Sequence, residues 1–110
     1  MPHEMKPDEN IEWIINKQLN LIEESIKDFN HYKGKISKDK DYGSFIKASY
    51  IQGKLWILGY NLSIIKNNFY RIINNDLILK MDAIGYKITN ITTDRNLEDT
   101  YNDIKHCKLS

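Results

Sequence analysis

The sequence predicts a mainly α protein: a helical hairpin with a long central helix, then a short β-hairpin and a C-terminal helix. It is α+β if that hairpin forms. Three observations lead there. The 110 residues, 41% hydrophobic and 28% charged, match one globular domain. Apolar residues from Ser44 to Asn74 recur at alternating spacings of three and four without a break, the period of a helix. Between Asp76 and Ile91 the apolar residues alternate instead, the period of a strand.

The first helix is expected at about residues 8–32. Residues 1–7 are expected to be a flexible N-terminus, and they lack the apolar stretch of a secretory leader. Asp8 can cap the helix, and Glu9 and Glu12 suit the positive end of its dipole. Ile11, Ile15, Leu19, Ile22, Ile26 and Phe29 then fall on one face, with Trp13, Ile14 and Leu21 beside it. Gly34 stands where a glycine often ends a helix, and His31 and Lys33 suit that end. Residues 33–41, with four lysines and two aspartates, read as a solvated loop.

In the central helix, Ala48, Ile51, Leu55, Leu58, Leu62, Ile65, Phe69 and Ile72 form one seam. Burying them at roughly 1.5–3 kcal/mol each outweighs the ~1 kcal/mol cost of Gly53 and of Gly59. Opposite that seam lie Ile46, Tyr50, Trp56, Ile57, Tyr60, Ile64 and Tyr70. A helix apolar on two opposed faces is expected to be sandwiched. The first helix covers one face, so the other calls for the C-terminal segment, a second copy or a partner.

Leu77, Leu79 and Met81, then Ile84, Tyr86 and Ile88, alternate with more polar residues and predict the hairpin. Thr92, Thr93 and Asp94 form a capping cluster for a last helix near 95–107, with Leu97, Tyr101 and Ile104 on one face. No repeat or linker divides the chain, so residues 1–110 read as a single domain.

Composition narrows the function. Sixteen Lys and Arg against fifteen Asp and Glu leave a net charge of +1, which gives no general field toward nucleic acid or anionic membrane. The single cysteine, Cys107, has no partner within the chain, which with the absence of a membrane-length apolar run predicts a cytoplasmic protein. With 18 Ile, 14 Lys, 12 Asn and no Val, the codons point to an AT-rich genome. His3, His31, His106 and Cys107 lack metal-ligand spacing, no serine sits in a nucleophile elbow, and the five glycines do not cluster. The expectation is therefore a non-enzymatic protein without metal, cofactor or small-molecule substrate.

The aromatics carry the remaining signal. Trp13, Trp56, Tyr60 and Tyr70, with Ile64, are the candidate partner or dimer interface, because Trp and Tyr anchor binding surfaces. The expected function is steric: occlusion or bridging of a partner protein, the face being met by another protein, by a second copy in a coiled-coil homodimer, or by both. By association, small AT-rich proteins of this kind are inhibitors, immunity proteins or anti-defence factors of phages and mobile elements.

A second reading places a turn at Leu58-Gly59-Tyr60-Asn61, making residues 45–58 and 62–74 a helix-turn-helix. Ile78-Leu79-Lys80-Met81-Asp82-Ala83-Ile84-Gly85-Tyr86-Lys87-Ile88 resembles the closing hairpin of response-regulator type winged helices, with a glycine-tyrosine-basic-hydrophobic run at its end. It departs from that family at Asp82, where a basic residue is usual. The resemblance covers about a tenth of the chain and implies a DNA-binding regulator reading bases with Lys66, Asn67 and Arg71.

Overall fold

The computed structural model describes residues 7–39, 41–94 and the single positions 97, 99 and 102. It has three helices, α1 (Pro7–Asp39), α2 (Tyr42–Phe69) and α3 (Asn75–Thr92), and no strand among the described residues. The mainly α class and the helical hairpin are as the periodicity predicts.

Helix α1 runs past its expected end at residue 32. The stripe Ile15, Leu19, Ile22, Ile26, Phe29 continues at the same spacing through Lys33 to Ile36, which is 1% exposed. Burial of Ile36 carries the helix through Gly34, so residues 33–39 of the expected loop 33–41 are its last two turns, and position 40 lies outside the described residues. Lys33 occupies the stripe position between Phe29 and Ile36, and its ammonium pairs with the Asp94 carboxylate beyond the end of α3.

Asp41 then starts α2. Its Oδ1 accepts from the Gly43 amide at 3.0 Å and its Oδ2 from the Ser44 hydroxyl at 2.7 Å. The Ser44 hydrogen bond is the main reason its carboxyl is held below the ordinary value of 3.8. Helix α2 passes unbroken through Gly53 and Gly59. Its inner seam buries Ser44, Ala48, Ile51, Leu55 and Leu62. The far end of the predicted seam does not follow. The helix ends at Phe69, the chain turns, and Ile73 enters the core while Phe69 and Ile72 face solvent.

The expected β-hairpin is absent, and residues 75–92 are helical. Asn74 caps α3 by accepting from the Asp76 amide at 2.8 Å. Leu77, Met81, Ile84 and Ile88, at spacings 4-3-4, are its buried face, and Leu79 and Tyr86 point to solvent. The winged-helix arrangement falls with the hairpin: Leu58–Asn61 is helix rather than turn, and the expected wing is α3.

Helices α2 and α3 are antiparallel. Lys66 pairs with Asp82 at one end, Ile88 packs at Gly59 in the middle, and the Gln52 amide donates to the Ile91 carbonyl at 2.7 Å at the other. Gly59 is the point of close approach: a Cβ there would stand 3.1 Å from Ile88 Cγ2, and the Ile88 side chain would have to give by a few tenths of an ångström. The core is one cluster drawn from all three helices, Ile73 in the turn between α2 and α3, and Leu97. Among the described residues, no buried side-chain nitrogen or oxygen lacks a hydrogen-bond partner. Positions 97, 99 and 102 are helical, while the rest of the expected last helix, and His3, His106 and Cys107, lie outside the described residues. No described helix is long and apolar enough to cross a membrane.

Candidate docking face

Both neighbours of α2 lie on its inner side. α1 and α3 pack along Ala48, Leu55 and Leu62, with α3 displaced toward Gln52, Gly59 and Lys66. Counting about 100° per residue, the opposite side carries Ile46, Tyr50, Ile57, Tyr60 and Ile64, with Trp56 flanking them. None of these is covered. Their exposures are 52% for Ile46, 73% for Tyr50, 61% for Trp56, 55% for Ile57, 59% for Tyr60 and 42% for Ile64. A solvent-facing helix surface normally mixes charges among its apolar residues. Here six large apolar side chains line one side over 19 residues, or about 27 Å of helix.

The aromatic part of this face is ordered by its own contacts. Trp56 and Tyr60, one turn apart, stack with centroids 5.9 Å apart and planes 5° from parallel. Beside them, Trp56, Gly59, Tyr60, Gly85, Ile88 and Thr89 help line a groove of about 480 Å³ between α2 and α3. A second groove of about 440 Å³ opens around Gly53 and is walled by Tyr50 and Ile57.

The structure thus brings together Trp56, Tyr60 and Ile64 of the candidate interface and separates the other two. Tyr70 lies in the turn after α2, exposed, with the Arg71 guanidinium over its ring at 5.8 Å. Trp13 is on α1, roughly 160° around that helix from buried Ile15, with Lys17 over its ring. Ile46, Tyr50 and Ile57 belong to the face although they were not among the candidate anchors. The signal that finds them is the position of each about half a helical turn from the Leu55 seam.

The nucleic-acid candidates do not assemble. The Lys66 ammonium is paired with Asp82, Asn67 is exposed on the outer side of α2, and Arg71 stands in the turn against Tyr70. Among the described residues no group of three or more His, Cys, Asp or Glu is placed to hold a metal ion. His31 lies exposed on α1, edge-on to Tyr32 at 5.2 Å.

By fold, the described residues form an all-helical protein whose central helix packs against the other two on one side and leaves the large apolar side chains of the opposite side exposed. No family model matches it, and neither the curated proteins nor the solved structures include one of significant similarity.

Proposed function

We propose that this protein is a small protein-binding module that acts by contact rather than catalysis, occluding or bridging whatever docks on the outer face of α2. One observation supports the reading: a contiguous apolar, aromatic-rich strip on a helix whose other side already forms the core. Transfer of such a strip from water to a protein surface is favourable at about 25 cal/mol per Å². Trp and Tyr contribute wide contact at little entropic cost. An inhibitor or immunity protein works in this way, by covering a surface its target needs.

The test is capture from lysate of the native host by the tagged chain, with nuclease added, against Ile57→Glu and Tyr60→Ala. Loss of a stoichiometric protein, whether a host protein or an untagged second copy of this chain, from both variants, with far-UV circular dichroism unchanged, is the expected result. Capture that vanishes with nuclease, or that ignores both substitutions, contradicts the proposal.

A further inference from the structure

We infer that the outer face of α2 is occupied by a second copy of this chain, the two α2 helices running antiparallel across a two-fold axis level with Leu55. The inference rests on the reading of that face as a docking surface and adds which protein docks.

The spacing of the face carries it first. Ile46, Tyr50, Gly53, Ile57, Tyr60 and Ile64 advance by 4-3-4-3-4, the spacing of a coiled-coil seam. That spacing makes the six positions symmetric about residue 55, so the test lies in which residues they pair. Ile46 and Ile64 lie nine residues to either side of it, Tyr50 and Tyr60 five, Gly53 and Ile57 two. In an antiparallel copy the numbering runs the other way, so residues equidistant from Leu55 meet at the same level. Ile then faces Ile, Tyr faces Tyr, and Ile57 faces Gly53, each contact made twice. A two-fold interface requires such self-complementarity, and an unrelated partner imposes none.

Shape agrees at the one unlike pair. A Cβ on Gly53 would meet nothing within 4 Å, and the groove at that point is lined in part by Tyr50, Gly53, Lys54 and Ile57. Those four stand at i, i+3, i+4 and i+7, the set that forms the hole for an incoming knob. Ile57 of the second copy arrives at that level. Area agrees too. The exposed parts of the five large seam side chains and Trp56 amount to roughly 550–750 Å² per copy, taking about 150–250 Å² for each whole aromatic and about 175 Å² for each isoleucine. Stable interfaces take about 600–1,000 Å² from each partner, so the pairing draws on nearly the whole strip.

The flanks set a condition. The two-fold axis maps each flank of α2 onto the same flank of the copy. Trp56 therefore meets Trp56 on one side, and Lys54 meets Lys54 on the other. The two ammonium groups repel, so the pairing strengthens as salt screens them.

Sedimentation equilibrium of the full chain over a concentration series tests this. The wild type is expected to be a dimer in exchange with monomer, tighter at higher ionic strength, and Ile57→Glu a monomer of unchanged helicity. Gly53→Leu fills the hole and weakens association by about tenfold or more, while it raises helix propensity in the subunit. Orientation is read in a Cys107→Ser background with a short bis-maleimide. Lys54→Cys links to itself, Ile46→Cys and Ile64→Cys alone do not, and a mixture of those two links. Self-linking by Ile46→Cys overturns the antiparallel arrangement, and a wild type monomeric at every concentration overturns the second copy altogether. A monomer that still captures a host protein through Ile57 and Tyr60 keeps the docking face and replaces its occupant. A monomer whose capture ignores Ile57→Glu removes both readings.

Discussion

At Gly59 two opposing costs can be weighed atom by atom. Alanine in a helix interior is better than glycine by about 1 kcal/mol. The new Cβ would stand 3.1 Å from the γ2 methyl and 3.3 Å from the δ1 methyl of Ile88, which is β-branched and buried. Overpacking of that kind costs about 1–3 kcal/mol. Gly59→Ala is therefore expected to lose about 1 kcal/mol net in urea unfolding, although the helix is continuous there. Gly34 supplies the control. A Cβ on it meets nothing within 4 Å, so Gly34→Ala is expected to gain about 0.5–1 kcal/mol. A destabilised Gly34→Ala would instead place that glycine at a helix end, where the sequence pattern of residues 31–34 puts it.

At the scale of elements, the same stretch of α1 decides between loop and helix. Ile36 sits in the most lysine-rich segment of the chain and is buried in the core cluster. Ile36→Ala is expected to cost about 2–5 kcal/mol by urea unfolding, the range for emptying a packed site. In a solvated loop the same change would be nearly silent. The sequence hides this because four lysines and two aspartates in residues 33–41 mask a single apolar residue, although its phase with Phe29 and Lys33 continues the stripe. The same conflict governs α3. Leu77, Met81, Ile84 and Ile88 satisfy a helical spacing and, in two short runs, an alternating one. Leu79 and Tyr86 tip the count toward alternation because both are apolar, yet both are exposed. What periodicity alone does not supply is the tertiary contact: α3 runs antiparallel to α2 from Asp82 near Lys66 to Ile91 beside Gln52, and as a helix it gives Leu77, Met81, Ile84 and Ile88 one continuous buried edge. The long seam of α2 and its opposed apolar face were legible because they keep one phase for many turns. The split of Trp13 and Tyr70 from that face was not, since it depends on where α1 faces outward and where α2 stops.

The whole molecule exposes more surface than its mass requires. A compact protein of 13.0 kDa has an accessible surface of about 6,300 Å², and this chain has 8034 Å². Its radius of gyration is 17.7 Å where about 13 Å is usual for the length, and its longest dimension is 64 Å, of which the 33-residue α1 spans about 50 Å. A thin layer of three helices buries less of itself than a globule does, so the subunit alone starts from a small stability margin. Association through the outer face of α2 adds native-state stabilisation that depends on mass action. The thermal midpoint of the wild type should therefore rise by about 3 °C for each tenfold increase in protein concentration, given the unfolding entropy of two 110-residue chains. It should rise further as salt screens the paired Lys54 side chains. Ile57→Glu should melt at one temperature whatever its concentration. Scanning calorimetry across two decades of concentration separates the cases. A wild-type midpoint that does not move means the excess surface belongs to a monomer in water, and the pairing of α2 with its copy is then wrong.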